Sequence, residues 1–540
     1  MSPFIARTWA RLENHPWLTM TLAVLAQTWF TMGNRALWFS DEVRYANAYQ
    51  NLAEGGKWMV LALNGQVYPD KPPVYFWFLW LLDTLTPFDA PEVFFLGAAL
   101  SGLFFLFSAY VLARTLGFDK TVSLASTLIL LSSFLLAALF HYSRMDLMFA
   151  ALIILSHACL YRAVTDERQG CWPLWGLLLA GVATLVKGPL GFIFPLVNIG
   201  LYLTWKSEVK KLFTRQMGLG LLAMFGLLAA WIMGVIWTEG ADFLMKTVLG
   251  QQIIQRATRT FHHLEPFYWY MIAFPLAWLP WTLALFVTPV HRLFSIGHWG
   301  TLWKNRRQAG PSALLWIMFA GTFIFLSSLS GKVLIYILPM FPPLAILTAQ
   351  ALQSMEERRL GRLWTLIAGL WITAGAGLLL AGDLLPVPVP IRGMGISAGL
   401  LLLGGAAMSG VRSRDYRTCL LTLSLAMIIW LYPIGLMVAP SLDNAMSTKR
   451  QALILRDYID RGYAPLALKI YSGIFTYYAG HDFTETNHLD QLIATAQGKD
   501  KVVLSIRERH WNDWKDQLPE FHIVDRQSIA GMMYLIAVKD

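Results

Sequence analysis

The chain has 540 residues, of which 56% are hydrophobic and only 14% are charged, and its net charge is +10. Water-soluble domains carry about 25% charged residues, so this composition excludes an ordinary soluble protein. Excess Lys and Arg is typical of the cytoplasmic loops of membrane proteins, and without a basic patch interleaved with stacking aromatic residues it does not indicate a nucleic-acid partner. The three cysteines have no metal-ligand spacing and predict no disulfide framework.

Long apolar runs recur over residues 1–440. A run of about 20 residues is long enough to cross a hydrocarbon core of about 30 Å as a helix. We therefore predict a mainly α, polytopic membrane domain over 1–440, with about 13 transmembrane helices and the two termini on opposite sides. The predicted spans are 17–35, 91–113, 121–140, 147–162, 172–187, 190–205, 217–237, 268–289, 312–329, 333–352, 364–382, 393–410 and 418–438.

Basic residues mark alternate loops between the predicted spans. Short loops rich in Lys and Arg stay on the cytoplasmic side of a membrane. The loops of this kind include residues 114–120, 162–168, 206–215, 292–307, 358–362 and 412–417. The opposite, outer face then receives the first loop at about 37–91, the turns at 141–146, 187–189 and 330–332, the segments 238–267 and 383–392, and everything after Pro440.

The character of the chain changes after about residue 441. Residues 466–471, 501–506 and 533–538 have the composition of strands, and residues 489–496 have that of a short helix. We therefore predict a small soluble α/β domain over residues 441–540 on the outer face.

The first outer loop begins and ends with charged residues. Asp41 and Glu42 open a predicted helix over residues 41–55 that lies in the membrane interface. Two adjacent carboxylates in this position either are used chemically or stabilise the helix N-terminus. The loop ends with Tyr-Pro-Asp-Lys-Pro-Pro at residues 68–73, where Lys71 either binds a phosphate as a point charge or extends to the lipid headgroups.

Further charged side chains are predicted on the same face. Arg144 and Asp146 either form an ion pair within their turn or contribute to a site. Carboxylates mixed with cations suit transfer from a phosphate-linked donor, because cations neutralise the leaving phosphate and a carboxylate orients or activates the acceptor. The other outer-face candidates are Lys187, Arg259, His263 and Lys332.

The order of these motifs resembles that of a known family. The chain resembles the polyprenyl-phosphate-sugar glycosyltransferases of the GT-C fold, in the dolichyl-phosphate-mannose-protein mannosyltransferase-like superfamily. Within that group it is most similar to the lipid A aminoarabinose transferases. The resemblance rests on the first-loop Asp-Glu followed by Tyr45-Ala46, Asp70-Lys71-Pro72, Arg144-Met145-Asp146, Lys187-Gly188-Pro189, His263 three residues before Pro266, and Lys332 through Tyr336 to Pro339.

The resemblance implies roles for the outer-face residues. Asp41 is the expected catalytic carboxylate, with Glu42 and Asp146 as further catalytic candidates. The expected reaction is a single displacement in which a periplasmic acceptor, such as a lipid A phosphate, attacks an undecaprenyl-phosphate sugar, with 4-amino-4-deoxy-L-arabinose as the expected sugar. The expected contacts of the donor are Lys71, Arg44, Tyr45, Tyr68, Lys187, Arg259, Lys332 and Tyr336.

The resemblance also implies a divalent metal, Zn or Mg, held by Asp70 and His263. Asp70 departs from the Glu that is more often expected at this position and has the shorter reach. The expected location is the bacterial inner membrane, with the active site and the C-terminal domain on the periplasmic side and membrane lipid around the spans.

Two other functions compete with lipid A modification. A protein O-glycosyltransferase of the same fold fits the same motifs but would label polypeptide. An anion or lipid transporter would use the outer cations to bind its substrate, yet transporters place ionisable residues near the bilayer midplane, often within repeated halves. The charged residues named above lie at the ends of predicted spans, and no repeat is evident in the sequence, so an enzyme is favoured.

Overall fold

Helices dominate the computed structural model, which describes residues 3–243, 245, 265–288, 295–384, 389–411 and 415–540. The labelled α-helices, each of six residues or more, are α1 (Pro3–Asn14), α2 (Pro16–Thr28), α3 (Asp41–Ala53), α4 (Val74–Leu85), α5 (Glu92–Thr115), α6 (Lys120–Leu131), α7 (Phe134–Leu139), α8 (Asp146–Thr165), α9 (Trp172–Lys187), α10 (Leu190–Lys206), α11 (Arg215–Glu239), α12 (Trp269–Ala277), α13 (Ile296–Lys304), α14 (Pro311–Ser328), α15 (Phe341–Gln353), α16 (Glu357–Ala381), α17 (Met394–Gly410), α18 (Tyr416–Pro433), α19 (Lys449–Asp460), α20 (Leu489–Ala496) and α21 (Glu508–Trp514). The strands are β1 (Leu61–Leu63), β2 (Gln66–Tyr68), β3 (Ala464–Leu468), β4 (Thr484–Thr486), β5 (Val502–Arg507), β6 (His522–Ile529) and β7 (Met532–Lys539).

Seven helical segments among the described residues are long and apolar enough to cross a membrane. They are α5, α8, α11, α14, α16, Leu334–Gln353, which ends with α15, and Tyr416–Ser441, which begins with α18. Five shorter apolar helices of 10–17 residues accompany them, namely α4, α6, α9, α10 and α17. The chain is thus a multi-pass, mainly helical membrane protein, as the sequence predicts. The count of about 13 spans stays a prediction.

Two of the predicted spans are interrupted by residues that are not helical. The run 121–140 divides between α6 and α7 at Ser132 and the following serine, whose hydroxyls donate to carbonyls of the preceding turn. The run 268–289 divides around Pro280, which has no N–H to donate to a helix. Ser132 Oγ accepts a hydrogen bond of 3.2 Å from Trp281 Nε1, so the two breaks pack together. The prediction of continuous helices at these two places was wrong.

Regular structure fills most of the predicted first loop. The helix expected over residues 41–55 is confirmed as α3, and the β1–β2 hairpin and the apolar helix α4 follow it. The sequence pattern did not indicate the hairpin or α4. Val43 and Tyr45 of α3 are buried on different sides of the helix, so α3 packs inside the protein over much of its circumference. This packing fixes the helix N-terminus, where Asp41 lies.

A five-stranded mixed sheet occupies the C-terminal region, with the strand order β4-β3-β5-β7-β6. Strand β3 is parallel to β4 and β5, whereas β7 is antiparallel to β5 and β6. The predicted strands correspond to β3, β5 and β7, and the predicted helix to α20, but β4 and β6 were missed. Leu466, Leu504, Leu535 and Trp511 belong to the core of this region. The boundary predicted at residue 441 stays a prediction.

One buried side chain fastens the C-terminal sheet to the first loop. Asn64, in the β1–β2 turn, donates from Nδ2 to the Phe483 carbonyl at 2.8 Å. Its Oδ1 accepts from the Phe483 N–H at 2.7 Å and from the Thr476 hydroxyl at 3.1 Å. The Phe39 N–H also donates to the Met446 carbonyl at 2.8 Å. These contacts hold the sheet beside the N-terminus of α3.

Candidate active site

Asp41 is the first residue of α3, where the helix N-terminus stabilises a negative charge. Arg144 Nη1 lies 2.5 Å from Asp41 Oδ2, and Arg44 Nη1 lies 4.0 Å from Oδ1. The Asp41 side chain is 23% exposed, so a ligand can reach it. Because Arg144 comes from the turn before α8, the fold brings the first-loop motif and the Arg-Met-Asp motif together, although 103 residues of sequence separate them.

Asp146 links Arg144 to Lys187. Asp146 opens α8, and only 2% of its side chain is exposed. Arg144 Nε donates to its Oδ2 at 2.9 Å, and the Lys187 ammonium, at the end of α9, donates to Oδ1. A buried carboxylate is costly unless it is paired, and here two cations pair it. The ion pair considered within the turn is therefore present, and it is also part of the Asp41 cluster.

Aromatic rings flank the Lys187 ammonium. Its Nζ lies 4.2 Å from the centroid of the Tyr336 ring and 5.5 Å from that of Phe149. An ammonium over an aromatic face is stabilised by the ring quadrupole. Tyr336 therefore reaches the cluster from a region of the chain distant in sequence from Lys187.

Lys71 lies between the β1–β2 hairpin and α4. Burial lowers its pKa, the Lys187 ammonium lowers it further, and the Asp41 carboxylate opposes them, with a resulting pKa of about 8. The charges of Arg144 and Asp146 also act on Lys71. A partly desolvated ammonium beside other cations gains stability when an anion binds. Lys71 is thus placed to hold a phosphate next to Asp41.

Glu42 differs from Asp41 because it is fully buried and its oxygens are occupied. Arg35 donates to the two carboxylate oxygens at 2.7 and 2.8 Å. The backbone N–H groups of Trp38 and Ser143 each donate to it at 2.8 Å. A carboxylate has about four lone-pair sites, so this geometry favours a positioning role. Glu42 ties the start of α3 to the turn that carries Arg144, and its catalytic role stays an untested prediction.

Sequence reasoning missed Arg35, the partner of Glu42. Its guanidinium lies 4.4 Å from the Trp38 ring centroid and 4.6 Å from that of Phe95, and it donates to the His141 carbonyl at 2.8 Å. The available signal was an arginine at the outer end of the first apolar run, where the positive-inside distribution does not favour one.

Arg44 joins the cluster to the C-terminal region. Its Nε donates to the Ser472 carbonyl at 3.0 Å, and its guanidinium lies 5.3 Å from the centroid of the Tyr68 ring. Burial lowers the pKa of Arg44, but the Tyr68 hydroxyl and the carboxylates of Asp41 and Asp70 outweigh burial and raise it. Arg44, Tyr68, Asp70 and Asp41 therefore lie together, as their assignment to one site requires.

Two other predicted donor contacts are buried in the structure. Tyr45 is fully buried with its ring edge-on to Phe76 at 5.7 Å, and burial raises its pKa well above the ordinary value. Lys332 is 3% exposed, and its ammonium donates to the Glu265 carbonyl at 2.9 Å and to the Leu329 carbonyl. In this structure Lys332 ties backbone segments together, and the donor-binding roles of both residues stay predictions.

Arg259 and His263 lie outside the described residues. Asp70 is described, and its carboxylate acts on Arg44. In the part of the chain that the structure describes, no group of three or more His, Cys, Asp or Glu side chains has the arrangement of a metal site. The predicted metal at Asp70 and His263 therefore stays a prediction.

Comparison with known proteins gives the class of this fold and site. Residues 70–237 match the family described as dolichyl-phosphate-mannose-protein mannosyltransferase. The chain is a polyprenyl-phosphate glycosyltransferase of the GT-C fold, as the sequence motifs predict. Over a longer range of the chain than this family match, it is similar to aminoarabinose transferases.

Individual relatives show how far the likeness extends. An undecaprenyl phosphate-α-4-amino-4-deoxy-L-arabinose arabinosyl transferase from Pseudomonas aeruginosa is 28% identical over 438 residues, which are 76% of this chain and 71% of that protein. An uncharacterized protein from Aquifex aeolicus is 28% identical over 65% of this chain and 67% of its own length. The crystal structure of ArnT from Cupriavidus metallidurans bound to undecaprenyl phosphate has a TM-score of 0.74 and 19% identity, covering 97% of this chain and 98% of that one.

Proposed function

We propose that this enzyme transfers 4-amino-4-deoxy-L-arabinose from undecaprenyl phosphate to a phosphate group of lipid A. The observation that carries the proposal is the contact of Asp41 with Arg144 beside Lys71 and Lys187, which combines a reachable carboxylate with a cluster of cations. The sugar and the carrier are those named for the similar arabinosyl transferase from Pseudomonas aeruginosa. The related Cupriavidus metallidurans structure holds undecaprenyl phosphate, which supports this carrier.

Cations stabilise the negative charge of the donor phosphate. With a pKa of about 8, Lys71 is mostly protonated at neutral pH and pairs with the phosphate that links sugar to carrier. Lys187 and Arg144 add positive charge from the same side, while Asp146 keeps them in place. Negative charge grows on this phosphate as the bond to the sugar breaks, so fixed cations stabilise the transition state more than the ground state.

The acceptor completes a single displacement. A phosphate oxygen of lipid A attacks the anomeric carbon, the bond from that carbon to the carrier phosphate breaks, and undecaprenyl phosphate leaves with both bonding electrons. The acceptor is already ionised, so no base is required. Asp41 orients the attacking group and stabilises the positive charge that develops at the anomeric carbon.

We keep a divalent metal, Zn or Mg, as a proposal at Asp70 and His263. Its contribution would be positive charge beside the donor phosphate. Asp70 would supply an oxygen ligand of the kind that Mg prefers. Its carboxylate lies close enough to Arg44 to act on that guanidinium. The displacement described above depends on this chain's own cations.

The proposed location is the bacterial inner membrane, with the site and the C-terminal sheet on the periplasmic side. Basic loops alternate along the chain, so the positive-inside rule puts the loops that carry Asp41, Asp146 and Lys187 on the side opposite the basic ones. Lipid A and a lipid-linked sugar are both reachable from that surface.

Mass spectrometry of lipid A tests the proposal. Lipid A from cells that carry the chain should have aminoarabinose on phosphate, and lipid A from cells without it should not. Unmodified lipid A together with a sugar-labelled polypeptide would replace this acceptor with a protein, the alternative that the family description also fits.

A further inference from the structure

The carboxyl ends of β3 and β5 carry a group of basic and aromatic side chains. Lys469 follows β3, and Arg507 ends β5 just before Arg509 and His510. The Lys469 ammonium lies 4.8 Å from the centroid of the Trp514 ring, and Arg509 Nε donates to His510 at 3.1 Å. In α/β sheets, ligands bind beyond the carboxyl ends of parallel strands, and β3 and β5 are parallel.

These cations act on one another closely enough to shift a neighbour. Burial lowers the pKa of His510, and the positive charges of Arg509, Lys469 and Arg507 lower it further, while the Asp513 carboxylate opposes them. Arg509, Lys469 and Arg507 thus lie close enough to His510 for their positive charges to act on it. Such a concentration of like charge is unfavourable by itself and is relieved when an anion binds.

Arg507 interacts with the side chain of Tyr534, but its Nε has unused hydrogen-bonding capacity. Its guanidinium lies 4.6 Å from the centroid of the Tyr471 ring. Its Nε is buried and has no hydrogen-bond acceptor among the described residues. A buried N–H without a partner costs free energy, so an acceptor oxygen from a ligand would stabilise this arrangement.

Carboxylates near this group are engaged elsewhere. Glu508 pairs with Arg526 at 3.2 Å, and Glu485 accepts from the Gly473 N–H at 2.9 Å. Asp513 lies 3.9 Å from His510. With Lys469, Arg507 and Arg509 counted against Asp513, the net charge of the group is positive.

The loop after β3 joins this group to Asp41. The Tyr471 ring lies 5.4 Å from the ring of Phe39, two residues before Asp41. The Ser472 carbonyl accepts from Arg44, which in turn contacts Asp41. A molecule bound at the basic group therefore lies on the side of the C-terminal region that faces the catalytic carboxylate.

We propose that Lys469, Arg507 and Arg509, with the rings of Tyr471 and Trp514, form an acceptor subsite that binds a phosphate-bearing saccharide headgroup. This subsite rests on the proposed function, because it serves an acceptor that carries phosphate. Arginine forks and a lysine bind phosphate oxygens, and the 44% exposed Tyr471 ring supplies apolar surface for the saccharide. Measurement of headgroup binding to the detergent-solubilised full chain tests the subsite separately from the proposed function.

The probe is the deacylated lipid A headgroup, a glucosamine disaccharide carrying two phosphates, compared with the same disaccharide without phosphate and with inorganic phosphate. The wild-type chain should bind the phosphorylated disaccharide at least about 10-fold more tightly than either. Arg507→Gln and Arg509→Gln should each reduce that preference. Lys499→Gln, which removes an exposed charge in the turn before the amino end of β5, should leave it unchanged.

Kinetics add a readout that a loss of folding does not mimic. Arg507→Gln and the surface variant Arg509→Gln should raise the KM for lipid A by about 10-fold and leave the KM for the donor and kcat unchanged. Equal binding of the phosphorylated disaccharide by wild type and both variants, or equal binding of inorganic phosphate by the wild type, would overturn the subsite. Unchanged KM for lipid A in an active enzyme would overturn the subsite alone, whereas phosphate-dependent headgroup binding without transfer to lipid A would overturn the proposed function alone.

Discussion

The guanidinium of Arg144 lies 2.5 Å from the carboxylate of Asp41 and 2.9 Å from that of Asp146. One arginine thus joins the reachable carboxylate to the buried one. Asp146, which also pairs with Lys187, fixes the position of Arg144. Arg144 can therefore hold Asp41 in one orientation while the Asp41 side chain stays accessible to a ligand.

Replacing Arg144 should remove the cation that links these two carboxylates. We expect Arg144→Gln to lower kcat for sugar transfer by at least about 100-fold, because a fixed positive charge beside the donor phosphate is lost and Asp146 loses a partner. Transfer of labelled sugar by the purified variant measures this. Arg168→Gln, an exposed change in another loop, should behave as wild type. A variant with nearly full kcat would show that Arg144 is not required for transfer.

Replacement of Glu42 should affect the stability of the fold rather than the chemical step. Glu42→Gln leaves the buried Arg35 guanidinium without its counter-charge, and we expect a loss of about 3 kcal/mol in the free energy of unfolding. Removing both charges in Arg35→Gln with Glu42→Gln should cost less than the sum of the single changes. Thermal unfolding in detergent measures this, with the exposed Glu54→Gln as the control. A Glu42→Gln variant of normal stability without activity would instead support the predicted catalytic role.

Lys71 should give the reaction an alkaline limit. Its pKa of about 8 is lower than that of an ordinary lysine, so the ammonium that pairs with donor phosphate is lost as pH rises through 8. We expect kcat/KM for the donor to fall about tenfold per pH unit above that value. Lys71→Arg, which stays protonated, should move the fall to higher pH. A profile identical in wild type and Lys71→Arg would assign the limit to another group.

The proposed metal has a separate test. If Asp70 and His263 hold a divalent ion, a chelator should lower kcat and added Zn or Mg should restore it. Asp70→Asn should weaken metal binding measured directly by metal content of the purified chain. Full activity in chelator, with no bound metal in the wild type, would contradict the metal and leave the cation cluster as the phosphate site.

Local patterns were sufficient for several parts of this fold. The apolar positions in 41–55 indicated α3, and the strand-like composition indicated β3, β5 and β7. Four site residues were predicted because each is charged and lies at the outer end of an apolar segment, namely Asp41, Lys71, Asp146 and Lys187. In such places the local sequence and the final environment agree.

Other features depend on contacts that no local pattern contains. Asn64 is an ordinary turn residue by sequence, and its role comes from hydrogen bonds to residues 412 and 419 positions away. The buried pair of Arg35 and Glu42 also depends on packing, because the turn that contains Ser143 donates to Glu42 from 101 positions away. The break in the run 121–140 is also tertiary, because the hydroxyl at its centre accepts from Trp281.

The most direct test of the central claim is transfer by the purified chain from labelled undecaprenyl-phosphate aminoarabinose to lipid A. We expect labelled lipid A with the wild type, a loss of at least about 100-fold with Asp41→Asn, and normal transfer with Asp89→Asn, an exposed change in the same loop. Unchanged transfer by Asp41→Asn, or no label on lipid A with the wild type, would contradict it.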